Sequence, residues 1–184
     1  MRNRELASKI DSMRRSGLLI AAIAILITLL LPIDILQASN HRTGAYLTGW
    51  KVRKGDRFHI EYIHSIQLTP VIESYYIDEY KQIILEESYF HSYGAGLPSE
   101  TPYEFEITKD GFRIYGIEEV MDDLVYRTGA IRANHEIFLR GKAYPFLGFS
   151  EPGEGVKFEM KKVPLLQYIA KEVYNVAKQT NNRE

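Results

Sequence analysis

His64 and Ser65 adjoin, and Glu73 follows them within YIHSIQLTPVIESYYI, Tyr62 to Ile77. An imidazole, a hydroxyl and a carboxylate are the parts of nucleophilic catalysis, in which a base takes the hydroxyl proton and an acid orients the base. The spacing opposes that chemistry. Successive side chains on a strand point to opposite faces, so His64 and Ser65 form a dyad only if the chain turns at Ser65. No third triad group is apparent, and the GxSxG elbow, HExxH and the phosphate-binding P-loop are missing. The expectation is a protein that is not an enzyme, with no catalytic residue assigned.

The same groups raise metal binding. His41, His59, His64, His91 and His135, with Glu73 as an oxygen donor, are suitable first-row ligands, but no two of these histidines have a tight ligand spacing. Only the fold could bring them together, so no metal and no cofactor is assigned, and His41 and His59 are expected to be exposed. In SYGAGLPSE, Gly94-Ala95-Gly96 superficially resembles a dinucleotide-binding loop. The third glycine position is Ser99 and no helix pattern follows, so the phosphate reading fails on context. Tyr93, Gly94, Gly96 and Pro98 read as a structural turn, with a loop binding surface as the alternative.

These residues need a scaffold, and the pattern around them has the period of two that marks a half-buried strand. Phe58, Ile60, Tyr62 and His64 form one row; Val71, Glu73, Tyr75 and Ile77 form another. If Gln67 and Leu68 make a two-residue turn, Tyr62 lies opposite Glu73 and His64 opposite Val71, which makes His64 and Glu73 diagonal neighbours on one face. A carboxylate there needs a partner: imidazole, a tyrosine hydroxyl or turn amides. The expected role of the pair is structural, with ligand binding as the alternative. Further strands are read at QIILEESYF, FEITKDGFRIY, HEIFLRGKAYPF and GVKFEMKKV; a turn at Asp110-Gly111 would set Ile107 opposite Ile114. The fold class is mainly β, a small antiparallel sandwich or barrel. The 13 tyrosines suit it, since the ring packs on a pleated face while the hydroxyl finds a partner.

Ahead of the β region lies GLLIAAIAILITLLLPIDIL, residues 17–36, read as a transmembrane signal anchor. Residues 1–16 carry Arg2, Arg4, Lys9, Arg14 and Arg15 against Glu5 and Asp11, a balance of +3 that keeps the N-terminus cytoplasmic and places the rest outside. Secretion after signal cleavage is the alternative, although Leu36 and Ala38 make a poor recognition pair. Residues 37–45 read as a linker, 46–163 as the extracytoplasmic β domain and 164–184 as a helix and tail. In that helix Pro164 opens the first turn, and Leu165, Ile169, Val173 and Val176 form one stripe for the sheet or the membrane surface. A net charge of -1 gives no electrostatic reason for a nucleic-acid partner, and the absence of cysteine removes disulfides, thiolate nucleophiles and lipoprotein attachment.

GDRFHIEYIHS, PVIESYYI, SYGAGLP, RANHEIFLRGKAYPF and GVKFEMKK, in that order, resemble the family called domain of unknown function 1850. The resemblance covers most of the stretch from Trp50 to Val163. It implies a small bacterial protein of the kind often encoded beside TAXI-type TRAP transporters, with their membrane or solute-binding subunits as partners, and it implies no reaction. The functional expectation is a membrane-anchored extracytoplasmic accessory or interaction domain; the alternatives are a small-ligand or metal-binding domain, or an enzyme of unrecognised type.

Overall fold

The computed structural model describes residues 2–66, 68–91, 101–129 and 133–181, with side chains from residue 13 to residue 177. Helix α1 (Arg2–Leu30) precedes β1 (Pro32–Asn40), β2 (Tyr46–Lys51), β3 (Arg57–Ile63), β4 (Pro70–Ile77) and β5 (Ile83–Phe90). Then come β6 (Glu104–Thr108), β7 (Gly111–Val120), β8 (Leu124–Arg127), β9 (Glu136–Leu139) and β10 (Lys142–Pro145). A 3-10 turn (Phe146–Gly148), β11 (Gly155–Pro164) and helix α2 (Leu165–Asn181) complete the chain.

Among the described residues the strands form two antiparallel sheets, one in the order β2-β1-β11-β8 and one in the order β10-β9-β3-β4-β5-β7-β6. They pack face to face as a sandwich and do not close into a barrel. Alternation decides which side chains meet: Phe58 and Ile60 from β3, Tyr75 and Ile77 from β4, and Ile137 and Leu139 from β9 face Leu36, Ala38, Trp50, Leu124, Val156 and Phe158 of the smaller sheet. A second cluster of Val71, Phe90, Ile114 and Ile117 continues the core toward the β7 side.

The expected boundaries at the N-terminus need correction. The apolar helix ends at Leu30, and residues 32–40, divided in the sequence reading between membrane span and linker, form an inner strand between β2 and β11. Pro32 disfavours the helical conformation at Leu31 and lacks the amide needed to continue it. Ile35 and Leu36 point to opposite faces, yet both are fully buried. A strand covered on both sides lacks the alternation that betrays a half-buried one, so its apolar residues read as more of the span. The cover on the outer side is α2, which packs on β2 and β11. Tyr168 donates to the Gly49 carbonyl at 3.3 Å, and Asn175 reaches the carbonyl of Leu47.

The segment Met13–Leu30 has the length and composition to cross a membrane, about 27 Å as a helix, and none of it is buried within the molecule. A membrane anchor and a signal sequence share these properties.

Both expected hairpin registers are also off by two. The turn after β3 takes four residues between His64 and Thr69: His64 N–H donates to Thr69 O at 2.9 Å, and Leu68 N–H to His64 O at 2.9 Å. Ile60 therefore opposes Glu73, and Tyr62 opposes Val71. In the β6–β7 hairpin the turn is Lys109-Asp110, so Ile107 opposes Phe112 and Phe105 opposes Ile114. Gly111 sits in the strand because a Cβ there would come within 2.5 Å of the Phe90 carbonyl oxygen. The glycine serves a close approach of β5, not a turn conformation.

Candidate functional site

Glu73 is an inward-facing carboxylate in the row Val71, Glu73, Tyr75, Ile77, with Ile60 and Ser88 as its cross-strand neighbours. Its partner comes from the opposite sheet. Tyr126 on β8, paired with Val156 and so directed into the sandwich, donates its hydroxyl to Glu73. The same hydroxyl lies 2.6 Å from that of Tyr75. One oxygen thus links both sheets through two hydrogen bonds.

Rings enclose this network. Tyr62 meets Tyr126 edge to face at 5.9 Å and stacks on His135 at 5.1 Å; His135 in turn lies 5.4 Å from Phe146. His135 precedes β9 in register with Tyr62, and its carbonyl accepts the Phe146 amide at 2.9 Å. Its Nδ1 is buried without a hydrogen-bond partner among the described residues.

Burial governs the electrostatics here. Desolvation raises the Glu73 pKa, opposed by the Tyr126 hydrogen bond, and raises those of Tyr62, Tyr75 and Tyr126. It lowers that of His135 to about 4. All of these shifts favour neutral forms. The arrangement is a half-buried acid–phenol pair beside a neutral imidazole, chemically able to hold a proton or accept a hydrogen bond.

The other expected residues lie elsewhere. His64 and Glu73 are not diagonal neighbours: in the observed register they stand four positions apart along the ladder, roughly 13 Å at 3.3 Å per residue. His64 shapes its turn, where Nδ1 accepts the Ile66 amide at 3.4 Å, and Ser65 is exposed on that turn. Tyr93, Gly94, Gly96 and Pro98 lie outside the described residues. His41 is exposed as expected, whereas His59 is half-buried under Phe138, with ring centres 4.6 Å apart. His91 sits beside the Pro70 carbonyl. Among the described residues no three histidine or acidic side chains converge in a metal-binding group.

Sequence reasoning missed Tyr126 as the partner of Glu73 and His135 as a ring neighbour of Tyr126. The available signals were weak: LVYR is too short to show alternation, and His135 appeared only as one of five scattered histidines.

The described molecule is thus an antiparallel sandwich with an apolar N-terminal helix and a carboxylate–tyrosine network between its sheets. Residues 58–146 match the family model described as Domain of unknown function (DUF1850). It holds Glu73, Tyr75, Tyr126, His135 and Phe146 together with the strands of the larger sheet, while α1, β1, β2, β11 and α2 lie outside it. Neither the curated proteins nor the solved structures contain a match.

Proposed function

We propose that the protein is a membrane-anchored extracytoplasmic accessory or interaction domain, with a TAXI-type TRAP transporter, the neighbour that the family resemblance suggests, as its partner. The observation that carries the anchored reading is the junction at Leu31: an unburied apolar helix passes within one residue into an inner strand of the sandwich. Such a junction leaves no flexible stalk, so an inserted α1 holds the domain against the bilayer, where a membrane partner is in reach. The basic N-terminal flank supports an outward-facing C-terminus.

Two measurements test this. A reporter fused after Glu184 is expected to behave as extracytoplasmic, and the full chain to stay in the membrane through an alkaline carbonate wash. A soluble shortened chain would refute the anchor, and a cytoplasmic reporter signal the orientation. The tagged protein, extracted in mild detergent, is expected to bring down a TRAP membrane or solute-binding subunit, and its deletion to reduce uptake. Normal uptake with no specific partner would refute the accessory role.

The unpartnered Nδ1 of His135 favours a second reading, a small-ligand domain whose ligand donates a hydrogen bond at that nitrogen. A panel of amines and hydroxylated solutes tested for stabilisation of the wild-type chain but not of His135→Phe would support it. No reaction is assigned to either reading.

A further inference from the structure

Helix α2 uses a polar face for the domain. Tyr168, Glu172 and Asn175 bind Gly49, Tyr46 and Leu47 of β2, and Lys171 lies over the Tyr46 ring at 4.5 Å. At 100° per residue, Leu166, Ile169, Ala170, Val173 and Ala177 fall on the opposite stripe. That stripe faces away from the sheet: Leu166, Ile169 and Val173 are 47%, 41% and 63% exposed. A helix that gives its polar side to its own domain and leaves its apolar side bare has another medium to meet.

The junction with α1 identifies that medium. Pro32 pairs with Pro164 at the end of the β1–β11 ladder, and the amide of Leu165, the first residue of α2, donates to the carbonyl of Leu31 at 3.0 Å. The apolar stripe therefore begins at the level where the bare apolar helix ends. The adjoining end of the sheet carries two exposed lysines. Lys162 and Lys51 oppose Asp34 and Ile35 near the start of β1; both are exposed, and neither has an ion pair among the described residues, whereas Asp34 is taken by Lys81.

We propose that α2 is a bilayer-surface helix: its stripe of Leu166, Ile169 and Val173 lies in the headgroup boundary of the leaflet from which α1 emerges, and Lys51 and Lys162 face anionic headgroups. This rests on the anchored reading and adds to it a fixed orientation of the sandwich. Span and surface helix are joined at the Leu31–Leu165 hydrogen bond, so they hold the domain at two elements instead of one pivot.

The chain has no cysteine, so single cysteines can be placed and spin-labelled in the full-length protein. The variants are Ile169→Cys and Val173→Cys on the stripe, Ile23→Cys in α1, and Lys109→Cys on the exposed β6–β7 turn. They are reconstituted in vesicles of phosphatidylglycerol and phosphatidylethanolamine, and accessibility to oxygen and to a water-soluble nickel chelate is measured. Labels at 169 and 173 are expected to meet the nickel chelate several-fold less than the label at 109, at a depth between those at 109 and 23. Nickel accessibility equal to that at 109 would overturn the proposal while leaving the anchor intact. Shielding accompanied by spin–spin broadening that disappears on dilution with unlabelled protein would assign the stripe to a second copy and overturn it too. A water-accessible label at 23 would defeat the anchored reading itself. Phosphatidylcholine vesicles test the lysines: undiminished shielding there would remove anionic headgroups from the proposal.

Discussion

Removing the Tyr126 hydroxyl tests whether one oxygen couples the two sheets. Tyr126→Phe keeps the ring against Tyr62, Phe146 and Phe158 but withdraws the hydrogen bonds to Glu73 and Tyr75. A neutral hydrogen bond contributes about 1 kcal/mol and one to a charged group roughly 1.5–3 kcal/mol, so the two lost bonds put the loss at about 2 kcal/mol with Glu73 protonated and near 3 kcal/mol with it ionised. For a chain of this size that lowers the melting midpoint by roughly 4–12 °C. Glu73→Gln retains an acceptor for Tyr126 and is expected to cost less at neutral pH. Because burial raises the Glu73 pKa above its ordinary 4.5, the folded state binds more protons than the unfolded state between those values. That contribution is fully present below pH 4.5 and is lost as pH rises through the folded pKa, so Glu73→Gln is expected to flatten this fall. The assay is thermal unfolding of the full chain in detergent across pH, with the double variant completing a cycle. The double variant is expected to lose less than the sum of the singles. Strict additivity, or an unchanged midpoint in Tyr126→Phe, would refute the coupling.

His135 titrates with the opposite sign. Its pKa is depressed to about 4 from the ordinary 6.5, so its contribution is present above pH 6.5 and lost as pH falls toward 4; His135→Phe should remove that acid-side loss in the same pH series. Gly111→Ala is expected to destabilise by about 1–3 kcal/mol, read as a lower urea midpoint at unchanged slope, since its Cβ would meet the Phe90 carbonyl at 2.5 Å. Trp50 is the one tryptophan and packs edge-on to Tyr144 and Phe149, so its emission should be blue-shifted when folded and move red in one step with far-UV circular dichroism on unfolding. Separate transitions would show that the sheets do not unfold together.

The family segment, the strand-rich character and the apolar N-terminal helix were legible from the residues alone, because each rests on local pattern or composition. So was the face on which Glu73 lies. A register error of two leaves every side chain on its own side of the sheet, so the rows of Phe58, Ile60 and Tyr62 and of Val71, Glu73 and Tyr75 survived the wrong turn. The turn itself was not legible: Leu68 with φ of 56° closes a four-residue connection, and glycine at 111 answers to packing. Tertiary structure alone decided three further points. β1 is buried on both faces, which erased its period and hid it in the span. Tyr126 reaches Glu73 across the sandwich from 53 residues away, a proximity that local spacing does not encode. His135 became a desolvated imidazole only when β9 paired with β3 and set it on Tyr62. Alternation is a property of one strand and is written along the chain; the partner of a buried polar group is a property of two sheets and appears only when they pack.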